Sequence, residues 1–82
     1  MKYMEEYTLR LSIELLPDGQ FLATCSDLPG LVAQGRTVAE TVDIARDVAR
    51  KLIDSYRDHG DELPAKLRRV ESKLEVDVAV GV

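Results

Sequence analysis

The sequence predicts an α+β fold of the order β-β-β-α-β, in which one long helix covers one face of a mixed four-stranded sheet. Residues 7–15, 21–26 and 74–80 alternate apolar and polar side chains, with the period of two that is typical of strands covered on one face. Residues 37–60 instead carry apolar side chains at spacings of three and four, which indicates an amphipathic helix.

Size and composition predict a single small domain that covers residues 1–82, with its core at about 7–80. A chain of 82 residues has room for one modest hydrophobic core. Hydrophobic residues make up 45% and charged residues 32%, which is a globular balance. No apolar run approaches the roughly 18 residues that span a bilayer, and the first residues lack the apolar stretch of a signal peptide. We therefore expect a soluble, cytoplasmic protein without membrane contact.

Charge and cysteine content narrow the functional classes further. The net charge of −4 disfavours nonspecific attraction to nucleic acid or to anionic membranes and favours a basic partner. Cys25 is the single cysteine, so an internal disulfide cannot form and zinc would lack the usual ligand set. A small core without such staples suggests that self-association adds stability.

The first two strands are predicted to form a hairpin. Residues 7–15 place Tyr, Leu, Leu, Ile and Leu at alternate positions, and the pattern stops at Pro17-Asp18-Gly19. Proline presets its backbone angle, aspartate tolerates a turn, and glycine adopts a positive φ at low cost. Phe21, Ala23 and Cys25 then alternate with Leu22, Thr24 and Ser26 and form the apolar face of the second strand.

A second break separates this hairpin from a third strand. Residues 27–30 read Asp-Leu-Pro-Gly, a turn-forming combination, and precede the short apolar run of residues 31–33. Three consecutive antiparallel strands are therefore predicted. Gly35 is expected to supply an unusual backbone angle where the third strand leads into the helix.

The helix is predicted to begin at Thr37 and to end at Gly60. Thr37 and Glu40 have the spacing of a capping box, in which the threonine oxygen accepts from a backbone N–H while the glutamate reaches back. His59 lies in the last turn, and Gly60 suits the left-handed conformation that follows many helices. The residues predicted to face the core are Val38, Val42, Ala45, Ala49, Leu52, Ile53 and Tyr56.

The last strand is predicted at residues 73–80, after a polar connector that contains Lys66, Arg68 and Arg69. A helix between two strands permits parallel pairing, so this strand should lie parallel to the first, giving the order 3-2-1-4. It would then be an edge strand whose unpaired backbone groups are satisfied by a second copy or a partner. We expect a dimer or a higher oligomer there, through Val76, Val78 and Val80.

Several of these segments together resemble the HicB antitoxin family. They are the Pro-Asp-Gly turn, Ser-Asp-Leu-Pro-Gly at residues 26–30, Ala-Gln-Gly at 33–35, and Thr37 with Glu40 at the start of the helix. The resemblance implies a partial ribonuclease H-like fold and a protein partner, a HicA-type toxin, which is a small basic protein that cleaves mRNA. This sequence departs from the family pattern in two ways: Thr41 stands where alanine is common, and no DNA-binding domain follows Val82. We therefore expect no direct DNA binding by this chain alone.

Catalytic, cofactor and metal sites are not predicted. Ribonucleases H bind two metal ions through clustered carboxylates, whereas the candidate acids Asp18, Asp27, Glu40 and Asp43 do not form a cluster by spacing. His59 is interpreted as a solvated helix cap, and Cys25 as a buried, inert thiol. The chain is therefore not expected to be an enzyme.

Three functional hypotheses follow from these observations. The first is a HicB-like antitoxin that binds and neutralises its toxin by covering the active surface. The alternatives are an oligomeric, protein-binding or regulatory module without a toxin and, more distantly, a degenerate ribonuclease H. The predicted partner-binding residues are Asp27, Leu28, Pro29, Gly30 and Gln34, although the loop of residues 27–30 could also serve simply as a turn.

Overall fold

The computed structural model describes residues 6–64 and 75–82, together with the backbone of Arg68 and Arg69. The elements in chain order are β1 (Tyr7–Thr8), β2 (Ser12–Leu15), β3 (Phe21–Thr24), β4 (Val32–Gly35), α1 (Val38–Asp58) and β5 (Arg68–Arg69). Strands β2, β3 and β4 form an antiparallel sheet in that order, and β1 pairs with β5. The α+β class and the three antiparallel strands followed by one long helix are confirmed.

The turn between β2 and β3 is the predicted hairpin connection. The N–H of Gly19 donates to the carbonyl of Leu16 at 2.9 Å, and the N–H of Leu16 donates to the carbonyl of Gln20 at 2.7 Å. Gly19 has a φ of 88°, which only glycine adopts readily. The Asp18 carboxylate accepts from the N–H of Gln20 at 3.0 Å and closes the loop locally. The hairpin register pairs Ile13 with Ala23.

The helix begins where the capping pattern predicted. Thr37 is extended, with φ −133° and ψ 163°, and its hydroxyl accepts from the N–H of Glu40 at 3.0 Å. The Glu40 carboxylate reaches back to the N–H of Arg36 at 3.4 Å, one residue before the cap, and also contacts the Arg36 guanidinium. Both side chains of the predicted pair therefore stabilise the first turn of the helix.

Substitution of the cap tests the start of the helix. Thr37→Ala removes the acceptor for the Glu40 N–H and is expected to lower the free energy of unfolding by about 0.5–2 kcal/mol. Thr37→Ser keeps an equivalent oxygen and should retain most of the stability. Chemical denaturation of both variants measures the difference. Equal midpoints for the alanine variant and the parent would show that the hydroxyl does not cap the helix.

The helix ends in a Schellman motif around Gly60. The N–H of Gly60 donates to Arg57 and the N–H of Asp61 donates to Tyr56, at 3.1 and 2.8 Å. Gly60 has a φ of 68°, the left-handed conformation predicted for this position. His59 is exposed and its Nδ1 lies 2.8 Å from the carbonyl of Ser55, so its interpretation as a solvated cap agrees with the structure.

The core lies between α1 and the inner face of the three-stranded sheet. Small side chains dominate it, which lets the helix lie close to the strands. Its buried hydrophobic residues are Ala23, Cys25, Leu28, Leu31, Ala33, Ala45 and Ala49. Partly buried side chains from residues 9–13 and from the helix pack around this cluster. Among the described residues, no helix combines the length and apolar character needed to cross a membrane.

The first predicted strand is interrupted in the structure. Instead of one strand over residues 7–15, β1 and β2 are separated by residues 9–11. The backbone N–H of Arg10 donates to the Asp27 carboxylate at 2.9 Å, so this donor is used by a side chain instead of a neighbouring strand. Leu9, Leu11 and Ile13 still pack against the core. The alternation correctly predicted which side chains face inward, but not the continuity of the strand.

The last predicted strand is wrong over the part that the structure describes. Residues 75–82 contain no strand, and Val76, Val78 and Val80 are all exposed. Lys73 and Leu74, from the same prediction, lie outside the described residues. Alternation indicates that a segment can pair, whereas a strand also needs a neighbouring edge to pair with.

The strand that joins β1 lies earlier in the chain than predicted. It is β5, which falls in the predicted connector, and it pairs antiparallel, with Tyr7 opposite Arg69 and Thr8 opposite Arg68. Parallel pairing of the last strand with the first is therefore incorrect for these residues. The predicted order 3-2-1 is confirmed as β4-β3-β2, and the position predicted for a fourth strand is not.

Candidate partner-binding surface

In the loop of residues 27–30, the first two residues anchor the loop to the rest of the fold, and the last two are exposed to solvent. Asp27 is half-buried and its carboxylate accepts from the Arg10 N–H at 2.9 Å. Leu28 is completely buried and belongs to the core. Pro29 and Gly30 are exposed at the tip. Of the predicted contact residues in this loop, only the last two offer their surface to a partner.

The tip is a tight turn whose geometry depends on glycine. The N–H of Leu31 donates to the carbonyl of Leu28 at 3.3 Å, with Pro29 and Gly30 as the two central residues. Gly30 has a φ of 90°, as required at the third position of a type II turn, and proline is common at the second. The structural interpretation of this loop is therefore confirmed, and the contact interpretation stays a prediction for its exposed residues, Pro29 and Gly30.

Gln34 lies on the outer face of the sheet, away from the helix. It is exposed on β4, opposite Leu22 of β3, and its amide Nε2 donates to the Gln20 side-chain oxygen at 2.8 Å. This face carries exposed polar groups together with a half-exposed Val32. The outer face is thus a mixed polar and apolar surface that no described element covers.

The structure does not bring the loop tip and Gln34 together. Gln34 is four residues after Gly30 and contacts the hairpin turn through Gln20, whereas the loop contacts Arg10 before β2. At about 3.3 Å of rise per residue, the separation along the strand is about 13 Å. A partner that contacts both must therefore cover the length of β4.

Strand β4 and the first turn of the helix are in close contact at Gly35. The unusual backbone angle predicted for this glycine is wrong. Gly35 does not have a positive φ, so it is not needed for a special backbone angle. A Cβ at this position would lie 2.7 Å from the Oγ1 of Thr41 and 2.9 Å from its backbone nitrogen. Glycine is required because the first turn of the helix lies directly against the end of the strand.

Thr41 is the buried polar residue that the helical pattern missed. Its side chain is fully buried, and its hydroxyl donates to the carbonyl of Thr37 at 2.7 Å. This bond satisfies a polar group that would otherwise be costly to bury. The only sequence signal was its position at the helical spacing of the core face, three residues after Val38 and four before Ala45.

The acidic residues considered for metal binding all have local structural partners. They accept as follows: Asp18 from the N–H of Gln20, Asp27 from the N–H of Arg10, Glu40 from Arg36, and Asp43 from the Arg46 guanidinium. Over residues 6–64 and 75–82, no group of His, Cys, Asp and Glu side chains could hold a metal ion. Each of these four carboxylates therefore has a local structural role in the described part of the chain.

The outer face of the helix is a solvated, charge-paired surface. Arg46 pairs with Asp43 at 3.2 Å and Arg50 with Asp47 at 3.6 Å, and all four side chains are largely exposed. Both pairs join residues three positions apart on the helix. Such exposed pairs contribute about 0.3–0.5 kcal/mol each, so they favour solubility more than stability.

Comparison with known proteins shows which sequences this chain resembles. No family model matches the chain. Antitoxin HicB of Escherichia coli K12 is 30% identical over 67 residues, which cover 79% of this chain, and antitoxin HicB of Escherichia coli O157:H7 matches equally. The chain is distantly similar to the HicB antitoxins. It spans about half the length of these relatives, since the match covers 49% of each.

The similarity to HicB bears on the question of catalysis. Both relatives are named antitoxins, and neither name describes an enzyme. The degenerate ribonuclease H hypothesis receives no support from the acidic residues, since the four candidates have local structural roles.

Proposed function

We propose that this chain is a HicB-like antitoxin that binds a small basic HicA-type toxin and neutralises it by covering the surface that cleaves mRNA. The proposal is based mainly on the 30% identity to antitoxin HicB over 79% of the chain. The described order of three antiparallel strands and a long helix is compatible with the partial ribonuclease H-like fold proposed for it. Action on such a toxin would take place in the cytoplasm.

Neutralisation by this chain requires no chemistry of its own. A protein that covers the toxin's active surface excludes RNA sterically, so its binding free energy alone determines the inhibition. The candidate carboxylates already serve the turn, the loop and the helix start, which supports a binding role over a catalytic one. A net charge of −4 also favours association with a basic protein, chiefly through a faster encounter.

The contact surface that we propose comprises the loop tip, Pro29 and Gly30, and the outer face of β4 at Gln34. These residues are exposed, whereas Leu28 is buried and Asp27 is held by Arg10. In this arrangement Asp27 and Leu28 act indirectly, because they fix the position of the tip. The pair Gln34 and Gln20 offers amide groups on the adjoining sheet surface.

Binding to the toxin tests both the function and this surface. The Gln34→Lys variant places a positive charge where a basic partner would dock, and it should weaken the affinity by about tenfold or more, equivalent to about 1.4 kcal/mol. Ser55→Lys is the matched control, because it makes the same change in net charge at an exposed helix position. Calorimetric titration with a HicA-type toxin from the same organism gives both affinities.

The affinities of the two variants distinguish a direct contact at Gln34 from an effect of net charge. Tight binding by the parent, with a loss confined to Gln34→Lys, supports the proposed surface. Equal loss in both variants would show that net charge alone matters and would contradict the contact at Gln34. No binding by the parent to any small basic toxin would contradict the antitoxin proposal itself.

One observation favours the alternative of an oligomeric module without a toxin. The valines of residues 75–82 are exposed and lie outside any sheet. Such a segment suits association with another chain, which a regulatory module would also need. The calorimetric titration decides between the two functions, since only an antitoxin binds the toxin.

A further inference from the structure

Strand β4 lies at the edge of the three-stranded sheet. It pairs with β3 on one side, and among the described residues no strand pairs with it on the other. In an antiparallel sheet, alternate residues direct their backbone N–H and C=O groups away from the paired neighbour. Alternate residues of β4 therefore have no strand to pair with in the described part of the chain.

Helix α1 lies over this edge strand instead of over the middle of the sheet. It packs chiefly against β4 and less against β3. The two elements are in close contact at Gly35, where a Cβ would lie 2.7 Å from the hydroxyl oxygen of Thr41. A helix is about 10 Å wide and strands lie about 4.8 Å apart, so a helix can cover two strands. Part of the sheet-facing side of α1 therefore extends beyond β4.

The flank of the helix that extends beyond β4 is apolar. Thr41 lies above the end of β4, and Ile44 and Val48 follow it at helical spacings of three and four. Arg57 marks the opposite flank, which faces the first strand, because its guanidinium donates to the Tyr7 hydroxyl at 3.2 Å. Ile44 and Val48 contact the core but are only partly buried. An added strand beside β4 would cover them.

The residues near the end of the described chain lie on the opposite flank. Residues 79–81 line a cavity together with Phe21 of β3 and Ala39 of the helix. Ala39 precedes Arg57 by about five helical turns and therefore shares its flank. Residues 79–81 thus leave the edge of β4 accessible.

The charged side chains of the helix differ between its two flanks. Next to Ile44, toward solvent, the charged residues are mainly acidic: Glu40, Asp47, Lys51 and Asp58. Next to Ile53, on the opposite flank, they are mainly basic: Arg46, Arg50, Arg57 and Asp43. Exposed ion pairs join Glu40 to Arg36 and Asp47 to Arg50, and such pairs are weak enough for a basic partner to replace. The edge of β4 is therefore bordered by an apolar flank with an acidic rim.

We propose that β4 binds an extended segment of the basic partner as an added strand, with apolar side chains of that segment against Ile44 and Val48. Basic side chains of the segment would meet the acidic rim, as in other complexes that form by strand addition. This inference rests on the proposed antitoxin function and specifies how the toxin is held. A strand along β4 also reaches from the loop tip to Gln34, the two contact positions at its ends.

Charge selects a basic partner over a second copy of this chain. Two-fold pairing of two β4 edges would set the same helix flank of each copy side by side, and both flanks carry an acidic excess. Like charges that face each other across a pair of strands or helices are unfavourable. A basic segment meets no such repulsion.

A pair of matched substitutions tests the role of the apolar flank. Ile44→Lys places a positive charge on the flank beside β4 and should weaken the binding of a HicA-type toxin from the same organism by about tenfold or more. Ile53→Lys makes the same change at a half-buried isoleucine of the opposite flank and should bind within about threefold of the parent. Circular dichroism shows whether each variant is folded.

Amide hydrogen exchange of the parent chain tests strand addition without any substitution. Alternate N–H groups of residues 32–35 should exchange quickly in the free chain, because they have no neighbouring strand to bind them. A saturating amount of the toxin should slow these same amides by about tenfold or more, since each gains a backbone acceptor. Nuclear magnetic resonance resolves the exchange of each residue.

Three results would overturn strand addition at β4. The alternate amides could exchange as quickly with bound toxin as without it, or the two folded lysine variants could lose affinity equally; both results would leave the antitoxin proposal intact. The alternate amides could also be slow in the free chain, which would show that the edge is covered without a partner. A folded parent that binds no toxin would instead contradict the antitoxin function and, with it, the partner assigned to this edge.

Discussion

Gly35→Ala is expected to destabilise the fold by about 1–3 kcal/mol, the usual cost of forcing an extra group into a packed site. The new methyl group would lie 2.7 Å from the hydroxyl and 2.9 Å from the backbone nitrogen of Thr41, and the backbone cannot move without shifting the first helical turn. In a domain of this size, each kcal/mol lowers the melting temperature by about 4–8 °C. Thermal unfolding followed by circular dichroism measures the shift.

Gly81→Ala is the matched control for this substitution. A Cβ at Gly81 meets nothing within 4 Å, so this variant should melt within about 4 °C of the parent, given the usual small effect of surface changes. A melting temperature for Gly35→Ala that equals that of Gly81→Ala would contradict the close contact between β4 and the helix.

Leu28→Ala should lower the free energy of unfolding by about 2–5 kcal/mol, because it removes a fully buried side chain and leaves a cavity. Leu15→Ala is the same substitution at a side chain that is 63% exposed, and its cost should stay below about 1 kcal/mol. Denaturation with urea gives both values. Equal losses in the two variants would show that Leu28 is not a core residue.

The Leu28 result also separates structural from contact roles in the loop. If Leu28 is a core residue, its loss weakens toxin binding only as far as it unfolds the chain or shifts the loop. A folded Leu28→Ala variant with parent-like stability and a large loss of affinity would instead make it a direct contact.

Local signals predicted the hairpin and the helix well, since each end is defined by nearby residues. Gly19 and Gly60 adopt the positive φ values that their turn and cap require, and the Thr37 hydroxyl accepts from the Glu40 N–H. These interactions connect residues at most a few positions apart. A single sequence therefore contains all that is needed to recognise them.

Such local signals could not predict contacts between residues that are far apart in the sequence. The interruption of the first strand depends on a hydrogen bond between Arg10 and Asp27, which are 17 positions apart. The pairing of β1 with β5 involves a short basic segment without any strand pattern. Residues 75–82 have a strong alternating pattern but pair with no strand in the part of the chain that the structure describes, so the rule of alternation predicted a strand that is not found there.

The partner-binding role of the loop at residues 27–30 stays a prediction, but the structure shows which of its residues are accessible. Turn chemistry located the loop at residues 27–30, and its tip is exposed as a contact element should be. The pattern could not show that Leu28 points inward, because one apolar residue between two turn formers has no periodicity of its own. Gly35 likewise needed the position of Thr41, which only the packing of strand against helix supplies.

Inhibition of RNA cleavage tests the antitoxin proposal most directly. A HicA-type toxin from the same organism would be incubated with labelled mRNA and increasing amounts of the purified chain. If the chain is an antitoxin, RNA cleavage should fall in proportion to the amount of added chain and stop at a fixed stoichiometric ratio. The Gln34→Lys variant should need a clear excess over the toxin to stop cleavage. Undiminished cleavage at a large excess of the folded chain would contradict the antitoxin proposal.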